Sequence, residues 1–318
     1  MLNPDVNIAS LVFHRDRFTT ADWRVVLRTM LAQLSERQLS LVAAGVAFFA
    51  MLALFPAITA TISLFGYVSD PAVVKQNLDL LEAIAPAEVF RLIDQQVTKL
   101  VTAERGALGI ASAFSLLLAV WSARAGVTAM IAGLNLFTRD RRARNFIWGL
   151  VTAYLMTLLL IGVSLIAIAS VVVIPAVLAF FPLGGMAAVV VDILRWALAA
   201  VAVLAGIGVL YRYGPSRRHG RTPLISIGSV LAALLWIVVS VCFSIYLANF
   251  GSYNEVYGSL GAVIALLMWY YLSALVVLFG GALNAEIEAR AIEVIRARYP
   301  EMLVANSPLS REMAGERD

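Results

Sequence analysis

Residues 38–69 read QLSLVAAGVAFFAMLALFPAITATISLFGYVS, a run without one charged side chain. About 20 apolar residues suffice to cross roughly 30 Å of hydrocarbon. The run is therefore a membrane-spanning helix with length to spare, which predicts tilt or projection beyond the bilayer. Pro56 lies near its middle and withholds one backbone donor, so a helix kink is expected there.

Five further stretches of the same kind follow. The second span lies within 106–137 and is interrupted only by Arg124. Residues 145–191 are again uncharged but too long for one span, and Pro175, Pro182, Gly184 and Gly185 mark a break. One helix precedes that break and the next covers about 186–210. Residues 223–250 and about 257–285 complete six spans. The composition agrees: hydrophobic residues make up 61%, charged residues 14%, and the mean hydropathy is +0.88. A soluble domain with so little charge has no means of wetting its surface. The expected fold class is all-α, a polytopic membrane protein of six transmembrane helices.

Two regions outside the spans are amphipathic. From Ala21 to Leu34, helical spacing gathers Trp23, Val26, Leu27, Met30, Leu31 and Leu34 on one face, with Arg24 and Arg28 off it. The pattern fits an N-terminal interfacial helix, or equally a short helix packed on the membrane domain. Residues 70–105 alternate charge with apolar residues and read as an amphipathic helical pair outside the bilayer core, opened by Pro71 and Pro86. The chain thus divides into an N-terminal segment, 1–37, a six-span domain, 38–285, and a charged C-terminal helix and tail, 286–318. The first segment lacks the apolar core of a signal peptide.

Arginine position sets the orientation. Arg15, Arg17, Arg24, Arg28 and Arg37 precede the first span. Arg139, Arg141, Arg142 and Arg144 follow the second, Arg212, Arg217, Arg218 and Arg221 the fourth, and Arg290, Arg296 and Arg298 the sixth. The opposite loops hold Arg195 and the net-acidic 70–105 region. The positive-inside rule then places both termini in the cytoplasm and the amphipathic pair outside.

Little in the inventory suggests catalysis. Cys242 is the only cysteine, and His14 and His219 are the only histidines. No His-x-x-x-His, Gly-x-Ser-x-Gly or phosphate-loop pattern occurs. No enzyme activity, cofactor or metal is expected. The arginines read as a topology signal rather than a nucleic-acid surface; membrane lipids are the expected partners.

Arg124 is the sharpest candidate. A charge within a span costs about 2.5–3.5 kcal/mol on insertion scales, and such residues usually face protein, water or ligand. It reads as an anion or lipid-headgroup contact, or as an arginine snorkelling to the cytoplasmic interface. Around it, Ser122 and Gly126, then Ala125, Ala129 and Gly133, repeat at four-residue spacing, which lets another helix approach closely. A homo-oligomer joined through these small-residue faces is compatible with the pattern. Tyr253, Asn254 and Tyr257 form a polar-aromatic outer loop, readable as a cap on a substrate path or as an interfacial belt. Trp121 reads as path lining or packing. Asn284 and Glu286 mark the cytoplasmic end of the last span.

In combination these residues resemble the YihY/virulence factor BrkB family. The resemblance is carried by Ala43 through Pro56 (AAGVAFFAMLALFP), Trp121-Ser122-Ala123-Arg124, Gly133-Leu134-Asn135 and Tyr211-Arg212-Tyr213-Gly214-Pro215. It continues through Tyr257-Gly258-Ser259-Leu260-Gly261-Ala262, Trp269 to Ala274, and Leu283-Asn284-Ala285-Glu286. It covers roughly residues 30–295. The resemblance implies a bacterial inner-membrane protein of about six spans and unestablished activity. Some members were once labelled ribonuclease BN, a misassignment. Associations with serum resistance and envelope lipid export imply transport of lipid-like or amphipathic molecules. A non-transporting scaffold for envelope proteins is the alternative, and a tRNA-processing ribonuclease the least expected. Two positions depart from the family pattern: Phe49 stands where Tyr is common, and Ala282 where many members carry Glu.

Overall fold

The computed structural model describes residues 18–68, 105–138, 145–170, 185–216, 222–248 and 259–298. The expected amphipathic pair and the break around Pro175 and Pro182 lie outside these residues. So do the 253–257 loop and most of the loop arginines. Among the described residues every regular element is helical: α1 Thr20–Glu36, α2 Leu39–Val68, α3 Arg105–Phe137, α4 Phe146–Ile168, α5 Gly185–Tyr213, α6 Ile227–Ala248 and α7 Ser259–Arg298. Six of them, α2 to α7, are long and apolar enough to cross a membrane, as the runs of uncharged sequence predict. The chain is a multi-pass membrane protein.

Local chemistry starts and stops these helices. Thr19 caps α1 reciprocally: its hydroxyl accepts from the Asp22 backbone N–H, and its own N–H donates to the Asp22 carboxylate at 2.9 Å. At the other end Arg37 N–H donates to the Gln33 carbonyl, and Gln38 takes a left-handed φ of 51°. That turn lets α2 leave in a new direction after only two residues, and costs a non-glycine residue about 1 kcal/mol. Pro56 lies inside α2, which continues through it.

Small residues set how closely the spans meet. α2 and α3 form the most extensive pairing. A Cβ added at Gly126 would touch Phe49, and one at Gly133 would press into Val42 and Leu278 at 2.7 Å. Gly133 is therefore the point where α2, α3 and α7 converge, and the four-residue spacing seen in the sequence has this cause. α6 and α7 approach still more closely, since a Cβ at Gly228 or Gly280 would collide with the other's carbonyl oxygen. α7 is the hub: it contacts α1, α2, α3 and α6, while α5 joins α4 to α6.

The packed core sits at one end of the bundle, the end that carries Arg37 and Phe137. Ala43, Leu134, Phe137, Leu210, Tyr211, Leu278, Leu283 and Ile287 are buried together there. Large apolar side chains on the distal halves, among them Phe114, Leu117, Leu165, Ile193, Val241 and Ile264, are exposed as lipid-facing positions should be. α1 packs against this core with Val26 and Met30 buried, while Leu27 and Leu31 remain exposed. α1 is thus packed on the membrane domain along one side, and part of its apolar face is left uncovered.

Candidate functional site

Arg124 projects from α3 toward α4, where its guanidinium carbon lies 5.4 Å from the centre of the Tyr154 ring. Counting helical rise, it stands about 20 Å from the Phe137 end of α3, and Tyr154 about 12 Å from the start of α4. Its Nε is buried and has no hydrogen-bond partner, and the guanidinium makes no ion pair among the described residues. The aromatic face offers a cation–π contact, which stabilises the charge without neutralising it. Ser122 is buried beside it along α3, whereas Trp121 is 53% exposed and faces outward.

Asn135, Asn284 and Glu286 instead lie in the packed end. Asn284, 1% exposed, accepts from the Gly228 N–H through Oδ1 and donates to the Ser226 hydroxyl through Nδ2, both at 2.8 Å. Ser226 and Ser229 bond each other and close the first turn of α6. Asn135 Oδ1 accepts from the Ser216 N–H at 2.9 Å. Glu286, also buried, accepts from Gln33 Nε2 at 2.7 Å. Tyr211, wholly buried, donates its hydroxyl to the Val277 carbonyl. Rather than merely marking a boundary, Asn284 and Glu286 join helices. Ala282 is fully buried among them and Phe49 is half-buried.

A second polar contact binds α1 to α7. Arg290 donates through Nε and Nη2 to one oxygen of Asp22, at 3.0 and 2.9 Å, and through its third nitrogen to Glu293. The Thr19 hydroxyl and backbone, then Arg290, hold the Asp22 carboxyl below the usual carboxylate range. Sequence reasoning passed over Asp22, Gln33, Ser226 and Ser229. A signal existed for one of them: Thr19-x-x-Asp22 ahead of an apolar run is a capping-box pattern. Trp236 and Trp269 also exchange indole donors across α6 and α7, to Ser273 at 3.0 Å and Ser240 at 3.4 Å, so Trp269 is a packing residue here.

A recess of about 280 Å³ opens between α2, α6 and α7 and is lined by Leu39, Leu235, Leu275, Val276 and Phe279. Its walls are apolar and do not include Arg124. Among the described residues no cluster of three or more His, Cys, Asp or Glu side chains comes together. Tyr253, Asn254 and Tyr257 lie outside the described residues.

Six apolar helices closed at one end by buried amide and hydroxyl contacts define a polytopic α-helical membrane protein. Residues 30–301 match the family described as Virulence factor BrkB, and the chain belongs to that family. It is 29% identical over 259 residues to the ribonuclease-like protein YfkH of Bacillus subtilis, covering 78% of this chain and 89% of that one. It is also 37% identical over 100 residues to a UPF0761 membrane protein of Tolumonas auensis, 31% of this chain and 33% of the relative. A UPF0761 membrane protein of Xanthomonas oryzae is 36% identical over 110 residues, 33% and 25% respectively. No solved structure matches the chain.

Proposed function

We propose that this protein moves lipid-like or amphipathic molecules with an anionic group through the membrane, and that Arg124 contacts that group on the way. The observation that supports this reading is a half-buried guanidinium within a span, 5.4 Å from the Tyr154 ring, whose buried Nε has no hydrogen-bond partner among the described residues. An arginine within a span that has a purely structural role is normally matched by a carboxylate or by carbonyl acceptors. This one retains donors in a fork suited to a phosphate or carboxylate.

The test is reconstitution in liposomes carrying fluorescent anionic or zwitterionic lipid, with reduction of the outer leaflet as the readout. Wild type should expose inner-leaflet label, faster for the anionic lipid. Arg124→Ala should lose that activity by tenfold or more while inserting and melting like wild type, and Arg124→Lys should retain part of it. Equal rates in wild type and Arg124→Ala, or no movement by folded wild type, would overturn the proposal.

A further inference from the structure

The α1 helix, independently of Arg124, carries a second feature that points to lipid. Its two polar ties to α7 are unequally spaced. Asp22 and Gln33 are eleven residues apart on α1, about 16 Å, while their partners Arg290 and Glu286 are four apart on α7, about 6 Å. Unequal spacing of this kind fits helices that cross rather than run parallel. α7 continues without a break from a membrane span, so a helix that crosses it runs more nearly along the membrane than through it. The chain path agrees, since only Arg37 and Gln38 separate α1 from the first turn of α2.

The faces of α1 then have fixed surroundings. At about 100° per residue, Val26, Met30 and Gln33 point at the bundle and are buried. One flank of that face carries Trp23, Leu27, Leu31 and Leu34. The other carries Ala21, Val25, Thr29, Ala32 and Glu36, of which Val25 is 42% exposed. Leu27 is 47% and Leu31 59% exposed, so the apolar flank is only partly covered by protein. Arg24 and Arg28 are exposed on the side facing away from the bundle, next to these leucines.

We infer that α1 is seated on an anionic bilayer surface, with Leu27 and Leu31 dipped into the acyl boundary and Arg24 and Arg28 on lipid phosphates. The occupant is lipid because the uncovered leucines belong to a helix that only Arg37 and Gln38 separate from a membrane span. It is anionic because, on α1, the charges beside those leucines are two guanidinium groups. The ties from Asp22 and Gln33 hold the helix at this height, so the surface is presented without a folding step.

The inference is tested on the full chain with Cys242→Ser as background and single cysteines at Val25, Leu27 or Leu31. Each is labelled with an environment-sensitive fluorophore and reconstituted in vesicles of phosphatidylcholine alone or mixed with phosphatidylglycerol. In the mixed vesicles labels at positions 27 and 31 should be quenched by lipid-borne nitroxide and shielded from iodide, and the label at 25 the reverse. Replacing Arg24 and Arg28 by Gln should lower the shielding ratio in mixed vesicles by about fivefold per arginine, since each basic residue at an anionic surface contributes about 1 kcal/mol. In pure phosphatidylcholine the same replacements should change nothing. Labels at 27 and 31 as open to iodide as the one at 25 would overturn the inference, as would an arginine effect of equal size in both vesicle types.

Discussion

Arg124 and Asn284 are both polar groups inside an apolar bundle, and their surroundings assign them opposite work. The Asn284 amide is used at both ends, by the Gly228 N–H and the Ser226 hydroxyl. Asn284→Ala leaves a buried N–H without an acceptor, and should destabilise the protein by about 1–3 kcal/mol, read as a lower melting temperature in detergent. Arg124→Ala removes a charge that has no ionic partner among the described residues, so its melting temperature should match wild type or exceed it. A large loss of stability in Arg124→Ala would show that its contacts are structural. Glycines divide in the same way. Gly228→Ala places a methyl on the Gly280 carbonyl and on the Asn284 amide, so α6 must shift, whereas Gly162 has open space around it. Gly228→Ala should melt well below wild type, and Gly162→Ala at or slightly above it.

At the scale of the element, α1 shows where sequence reading reaches and where it stops. Its amphipathic face is legible because Trp23, Val26, Met30 and Leu34 recur at helical spacing. What the face meets is not legible, because Arg290 and Glu286 are more than 250 positions away along the chain. The tie itself is pH-sensitive. Asp22 titrates below its ordinary value of 3.8 in the folded protein, so folding favours its ionised form. Its contribution is present above the unfolded pKa and is lost as pH falls through the folded one. Stability should therefore be insensitive to Asp22 near neutrality and fall more steeply below about pH 3.8 in wild type than in Asp22→Asn. Melting curves of the two proteins between neutral pH and pH 3 check this; parallel curves across that range would mean that the carboxylate contributes no ionic stabilisation.

For the whole molecule, the six spans are legible from uncharged length alone, since a bilayer demands about 20 apolar residues of every crossing helix. The order of packing is not, because in a lipid-facing bundle apolar residues surround each helix and no face stands out. Only the small residues betray contacts: Gly133 signals its site by spacing, but Gly228 and Gly280 meet across 52 residues of chain and carry no local sign of it. Orientation joins the two kinds of evidence. The Asp22–Arg290 and Gln33–Glu286 contacts require both ends of the membrane domain to lie on one side, which demands an even number of crossings between them. Arginine placement supplies the sign, since the basic loops follow the second and fourth spans and flank both ends, so that side should be the cytoplasm. Alkaline phosphatase fused after residue 68 or 248 should then be active, and fused after 138 or 216 inactive. An inverted pattern would reverse the orientation but keep the pairing of the ends. A mixed pattern, with residues 68 and 138 on one side, would mean that α3 does not span the membrane, and the depth argued for Arg124 would fall with it.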